Sequence, residues 1–226
     1  IMSSDWSSDV CSSDLGDNLG EIQAHHKKIT ALGIDEKHIY SASLDGTIKK
    51  WDIYSKELKL TINAYKNGVL DIDVNNRFII SGGEDVVSKL FDINTGDLIR
   101  GYKGAKRRIS GVRFYKNEII TCSWDHIVRL YDLDSGALNN SLKAHFDAIN
   151  CIDVNPDTDI LVSGDQSGFI NFWDLKERDL IYNTQEHTRY ITDLYLSENY
   201  LYSTCVDRTI RIWDILSGTS WKILEG

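Results

Sequence analysis

Three histidine-bearing groups and one run of cations hold the residue types from which chemistry could be built. Asp165, Ser167 and His145 are the types of a nucleophilic triad. Cys205 stands two residues before Asp207, with His187 upstream, which makes a thiol, carboxylate and imidazole set. His25 and His26 offer imidazoles, but adjacent side chains point apart and no partner with metal-ligand spacing follows. The run Lys103-Gly104-Ala105-Lys106-Arg107-Arg108 places four cations in six residues. Arginine forks grip carboxylate and phosphate oxygens, although a solvated charged loop has the same composition. No glycine-rich phosphate-binding motif of the P-loop or dinucleotide type occurs.

The elements that must position these residues follow from a period. An aromatic residue followed by aspartate occurs at Trp51-Asp52, Phe91-Asp92, Tyr131-Asp132, Trp173-Asp174 and Trp213-Asp214, in steps of 40, 40, 42 and 40 residues. A regular period of this length marks a repeat architecture, whose units bury their faces by stacking on neighbours. Between the marks, 29–34, 38–43, 47–53 and 58–62 are short runs rich in β-branched and aromatic residues, separated by turn-forming stretches such as Asp45-Gly46. Four strands in each unit predict an all-β chain, and the long repeat selects a propeller. The single proline, Pro156, falls in a turn, where it removes no ladder hydrogen bond.

Over residues 16–226 the sequence resembles the WD40 repeat family. Beyond the Trp-Asp pairs, the family places an aspartate six residues before the aromatic, and Asp45, Asp85, Asp125 and Asp207 match while Ser167 departs. It places a histidine four residues before the first strand: His25, His145 and His187 match, Tyr65 and Ala105 do not. A Ser or Thr two residues before the aspartate is matched by Ser43 and Ser123, whereas Gly83, Asp165 and Cys205 depart. The resemblance implies an all-β WD40 β-propeller of five four-stranded repeats, at approximately 25–64, 65–104, 105–144, 145–186 and 187–226. The family's usual ring has seven blades, so these five are expected to be part of a larger ring.

The resemblance also assigns roles. In the family, Trp, Ser, His and Asp form a hydrogen-bond chain that ties the middle strands to the leading loop of each blade. A buried imidazole and carboxylate are tolerable there only if every polar atom is matched. The structural network is therefore expected at His25, Ser43, Asp45, Trp51, Asp85, Ser123, Asp125, His145, Trp173, His187, Asp207 and Trp213. Unit one holds the full set, unit five lacks only the hydroxyl, for which Cys205 is a weak substitute, and units two and three are expected to rely on packing. The triad-like and thiol sets fall in these same slots, with two members of unit four rearranged, so no residue is expected to be catalytic, to bind a cofactor or to hold a metal.

Family members contact partners on the upper face, from the residue before the turn aspartate and from two positions near the start of the first strand. Here those are Leu44, Glu84, Trp124, Gln166 and Val206, with Lys28 and Thr30, Gly68 and Leu70, Arg108 and Ser110, Ala148 and Asn150, and Tyr190 and Thr192. Leu44, Leu70, Arg108, Trp124 and Tyr190 have the residue types of an interaction hot spot and are the expected partner-binding residues. The function expected is a non-catalytic scaffold for protein or peptide partners. The alternatives are the sensor module of a longer signalling protein and a propeller enzyme, the latter requiring convergent titrating groups with perturbed pKa values.

Residues 1–15 are set apart. Ser-Ser-Asp recurs at Ser3, Ser7 and Ser12, and the run 7–15 back-translates to the end of common short-read sequencing adapters. This segment is expected to be non-native, and both ends of the repeat region are expected to be cut. Of the net charge of −9, Asp5, Asp9 and Asp14 supply three, leaving −6 for 16–226. That mild acidity disfavours broad nucleic-acid or anionic-membrane binding. No apolar run approaches the ~20 residues that span a bilayer. Cys122, Cys151 and Cys205 lack metal or redox spacing, which points to reduced thiols and a cytoplasmic setting, with a targeting signal lost from the true N-terminus still allowed. The partner's identity and the oligomeric state are not legible.

Overall fold

The computed structural model describes residues 21–225; the adapter-like segment lies outside them. Among the described residues, twenty strands form five four-stranded antiparallel sheets, each built from consecutive strands. Blade one contains β1 (Ile29–Ile34), β2 (His38–Ser43), β3 (Thr47–Asp52) and β4 (Leu58–Asn63). Blade two contains β5 (Val69–Val74), β6 (Phe78–Gly83), β7 (Val87–Asp92) and β8 (Leu98–Lys103). Blade three contains β9 (Ile109–Tyr115), β10 (Glu118–Ser123), β11 (Val128–Asp132) and β12 (Leu138–Leu142). Blade four contains β13 (Ile149–Asn155), β14 (Ile160–Asp165), β15 (Ile170–Asp174) and β16 (Asp179–Thr184). Blade five contains β17 (Ile191–Leu196), β18 (Tyr200–Cys205), β19 (Thr209–Asp214) and β20 (Ser220–Glu225). This is the all-β, five-unit propeller architecture that the period predicts. Among the described residues no helix is long and apolar enough to cross a membrane.

The aromatic-aspartate marks have separate jobs. Each aromatic packs into the core, and its aspartate caps the turn that follows. Asp52 Oδ1 accepts from the N–H groups of Tyr54 and Ser55 at 3.0 and 2.8 Å, and Asp92 Oδ1 does the same for Asn94 and Thr95. Aspartate is favoured there because its short carboxylate reaches turn N–H groups that no strand pairs. Those backbone bonds hold the carboxyls of Asp52 and Asp92 below the ordinary range.

A bulge recurs at the start of every first strand, at Thr30, Leu70, Ser110, Asn150 and Thr192. A bulge re-aims its side chain, and in blades one, three and four it aims at the next blade, whereas Thr192 bonds to Thr204 of its own blade. Thr30 Oγ1 donates to Val69 O at 2.9 Å, Ser110 Oγ to Ile149 O at 2.5 Å, and Asn150 Nδ2 to Ile191 O at 3.2 Å. The first strands therefore run side by side in the same direction, with equivalent residues level. A second set of links comes from carboxylates on these strands. Asp73 Oδ2 accepts from Phe114 N at 2.8 Å and Asp153 Oδ2 from Leu196 N at 2.7 Å, so each satisfies an edge N–H of the following blade. An unpaired edge group is costly to bury.

Apolar cores lie between successive blades. Ile72, Ile79 and Phe91 share one cluster with Tyr40 and Ile48 of blade one, and Leu194 and Trp213 share another with Phe172 of blade four. Where a blade has a predecessor, the fourth residue of its first strand is buried, as at Ile72, Val112, Ile152 and Leu194. Its counterpart in blade one, Leu32, is 50% exposed. At the other end Ile210 is 41% exposed, while its counterparts Ile48, Val128 and Ile170 are buried. Among the described residues, then, the blades form an arc whose two terminal faces are apolar and uncovered.

Candidate functional site

Three blades hold a complete four-residue chain of hydrogen bonds. In blade one His25 Nδ1 lies 3.0 Å from Asp45 Oδ2, His25 Nε2 lies 2.7 Å from Ser41 Oγ, and Trp51 Nε1 donates to Ser41 Oγ at 2.9 Å. Blade four repeats this with His145, Asp165, Ser163 and Trp173 at 2.8, 2.7 and 2.8 Å. Blade five repeats it with His187, Asp207, Ser203 and Trp213 at 2.9, 2.7 and 2.7 Å. A carboxylate can only accept, so Nδ1 carries a proton, and in the neutral imidazole Nε2 then accepts from the serine hydroxyl.

Several expected members of these networks are corrected. The hydroxyl comes from Ser41, not Ser43, because Trp51 pairs with Ile39 and the same-face diagonal neighbour is two residues on. Ser43 instead donates to Lys27 O at 3.2 Å and accepts from Asp45 N at 3.1 Å, which clamps the leading loop to the turn. Ser123 does the same in blade three, with Arg107 O and Asp125 N. Cys205 occupies this clamp position in blade five, donating to Arg189 O at 3.2 Å, so blade five does not lack its network hydroxyl. In blade four the carboxylate is Asp165, and Ser167 Oγ donates to Asp147 instead. The missed signal was available: a Ser or Thr stands ten residues before the aromatic in all five units, at Ser41, Ser81, Thr121, Ser163 and Ser203.

Blades two and three use different chemistry rather than packing alone. Tyr65 replaces the histidine and donates its hydroxyl to Ser81 O at 2.9 Å, beside Ser81 Oγ at 3.1 Å. Asp85 joins no such chain and lies 4.0 Å from Lys89 Nζ. In blade three Arg129 reaches from its strand to hold Asp125 through both oxygens, at 2.9 and 2.8 Å. Both side chains are buried, and a forked pair suits that setting because it satisfies two lone-pair directions at once.

The electrostatics fit anchored groups. Burial alone would raise the Asp45 carboxyl, but the Thr47 hydroxyl and N–H, with His25, outweigh it and hold it at about 2. Asp207 is likewise held well below the ordinary carboxylate range against its burial, by Thr209 and His187. Burial lowers the His187 imidazole, more than Asp207 raises it.

The Ser-His-Asp distances are those of a nucleophilic triad, but the chemistry is not accessible. Ser41, Ser163 and Ser203 are buried, and each oxygen already accepts an indole N–H. His187, Cys205 and Asp207 bring ligand atoms within 4.8 Å of one another. Both nitrogens of that histidine are engaged, and burial raises the Cys205 thiol, which disfavours the thiolate a metal or electrophile needs. On the first strands, Arg113 joins Asp71 at 2.8 Å and Asp153 at 3.2 Å. Burial raises both carboxyls despite the guanidinium. Asp71 also accepts from Val112 N at 2.9 Å, so these perturbed groups have interblade bonds to make.

On the rim of the blades where leading loops meet the turns between second and third strands, the geometry is different. The guanidinium carbon of Arg108 lies 3.2 Å from the centre of the Trp124 ring, and its Nη1 lies 3.0 Å from Glu84 Oε1 of the neighbouring blade. Trp124, Leu44 and Leu70 are half-buried and Tyr190 is exposed. The structure brings Trp124 and Arg108 together, while Leu44, Leu70 and Tyr190 lie in other blades. Thr30, Ser110 and Asn150, expected at this face, are instead spent on the interblade bonds.

The comparisons with known proteins agree with this architecture. The family described as WD domain, G-beta repeat (WD40) matches residues 16–52, 96–132, 136–174 and 178–214, well over half of the chain. Mitochondrial division protein 1 of Saccharomyces cerevisiae (strain YJM789) is 28% identical over 103 residues, 37% of this chain and 14% of that protein. Myosin heavy chain kinase C of Dictyostelium discoideum is 30% identical over 88 residues, 38% of this chain and 11% of that protein. A putative E3 ubiquitin-protein ligase LIN-1 of Lotus japonicus is 42% identical over 59 residues, 25% of this chain and 4% of that protein. The matched stretches are thus small parts of these relatives. The crystal structure of the computationally designed Ika8 protein superposes with a TM-score of 0.79 at 27% identity, covering 90% of this chain and 64% of that one. Five stacked four-stranded sheets, the tetrads and the repeat matches together place this chain in the WD40 family of β-propellers.

Proposed function

We propose that the chain is a non-catalytic platform that binds protein or peptide partners through the end bearing Trp124 and Arg108. The observation that carries this reading is the division of labour among its polar groups. The serines, imidazoles and carboxylates with catalytic or ligating potential are engaged in internal hydrogen bonds, whereas the Trp124–Arg108 pair lies partly open at the rim. Aromatic and arginine side chains are the types that dominate interface energetics. The test is affinity capture with wild type and the Trp124→Ala/Arg108→Ala double variant. Partners held by wild type should be lost by the double variant; a double variant that keeps all of them would defeat the proposal.

A second reading, the sensor propeller of a longer effector protein, draws support from the relatives. Matched stretches make up 11% of a protein named as a kinase and 4% of one named as a putative ubiquitin ligase. An uninterrupted read of the source gene showing an attached effector domain would favour it, and one showing only further repeats would favour the freestanding platform. Free, buried Cys122, Cys151 and Cys205 support a reducing, cytoplasmic setting for either.

A further inference from the structure

The cations of the partner-binding end are not confined to the run that ends at Arg108. Lys27 and Lys28 of blade one, Lys66 of blade two, and Lys106 and Arg107 of blade three are all exposed in leading loops. These loops stand level because the first strands of adjacent blades are in register, as the Thr30–Val69 and Asp71–Val112 bonds show. Of the turn carboxylates at this end of blades one to three, Glu84 is paired with Arg108, Asp125 with Arg129 and Asp85 with Lys89, while Asp45, bonded to His25, keeps its charge. None of the five cations has a carboxylate within 4.0 Å among the described residues. Five unpaired cations against one such carboxylate leave this end positive on balance over three adjacent blades.

The opposite end carries more acidic than basic groups. Its turns hold Asp52, Asp92, Asp97, Asp132 and Asp134, with Glu57 paired to Lys59, against Lys37, Lys56 and Arg77. Blades one to three thus display opposite signs at their two ends, and such a distribution orients an anionic partner before contact. Beside the cations, at the same loop position as Lys66 and Lys106, blade four presents Phe146, which is 95% exposed.

We propose that this end selects an acidic peptide segment, lying across the leading loops of blades one to three with an apolar residue toward Phe146. This rests on the reading of that end as the partner-binding one and adds the chemistry of the partner. Carboxylate or phosphoserine oxygens would pair with Lys27, Lys28, Lys66, Lys106 and Arg107. Arg108, already held by Glu84 and Trp124, supplies a flat wall rather than a free charge.

The test uses fluorescence anisotropy on the full chain. The probes are a fluorescein-labelled peptide alternating Glu and phosphoserine around one central Leu, and its Gln/Ser counterpart. The acidic peptide should bind at least about tenfold tighter, and the Lys66→Gln/Lys106→Gln/Arg107→Gln variant should weaken it roughly tenfold, with affinity falling as salt rises. The opposite-end variant Lys37→Gln/Lys56→Gln/Arg77→Gln should bind like wild type. Unchanged melting temperatures establish that both triple variants fold. Equal binding of the two peptides overturns acidic selection while leaving the platform reading intact. Binding of neither peptide, with Trp124-dependent capture of partners retained, also overturns it. A duplex oligonucleotide or phosphatidylserine vesicles bound more tightly than the acidic peptide, through the same three residues, would replace it with nucleic-acid or membrane binding.

Discussion

At the residue scale, the serine ten positions before each tryptophan is the hinge of the network. Its oxygen receives an indole N–H and its hydrogen goes to the imidazole, so its removal strands two buried groups. Ser203→Ala should cost about 1–3 kcal/mol in chemical denaturation, as expected for buried groups left unpaired. Cys205→Ser keeps both clamp bonds and imitates Ser43, so it should stay within about 0.5 kcal/mol of wild type. Equal losses for the two would contradict the assignment of Ser203 to the network. Asp45→Ala should cost roughly 1–3 kcal/mol, since Thr47 N and the His25 ring lose their acceptor. The same residue sets an acid limit. Its folded pKa, at about 2, lies below the unfolded value, so its contribution is present above about pH 4 and is lost as pH falls toward 2. Urea titrations at pH 5 and pH 2.5 should show a smaller acid penalty for Asp45→Asn than for wild type. The sequence made His25, Asp45 and Trp51 legible through family spacing. It hid Ser41 because Ser43 fits a local pattern, and only strand register shows which serine faces the indole.

At the scale of elements, blades with different polar chemistry keep the same strand pattern. Strand limits could be read from β-branched runs and turn residues to within about one residue, since alternation and turn chemistry are local. The buried pair in blade three was not legible, because nothing in Val128-Arg129-Leu130 signals that its arginine points inward. That pair carries a sharp expectation. Arg129→Leu leaves Asp125 buried without its counter-charge and should cost about 3–5 kcal/mol, while Arg129→Leu/Asp125→Asn should recover part of the loss. Thermal denaturation that ranks the double variant below the single one would contradict this account of blade three.

For the whole molecule, each blade covers the next, and the two terminal faces lack that cover among the described residues. Apolar positions such as Leu32 and Ile210 are then open at opposite ends of the arc. Complementary open faces favour head-to-tail association. Sedimentation of the chain should show concentration-dependent self-association that Leu32→Lys/Ile210→Lys reduces; a monomer at every concentration would contradict open faces. The repeat period made five stacked units legible, whereas the charge difference between the two ends needed the blades' common orientation. The direct measurement of the platform claim is cross-linking mass spectrometry on the chain with a captured protein partner. The account predicts cross-links concentrated on the leading loops, at Lys66 and Lys106. Cross-links concentrated instead at Lys37 and Lys56 of the opposite end, with Lys66 and Lys106 unlinked, would contradict it.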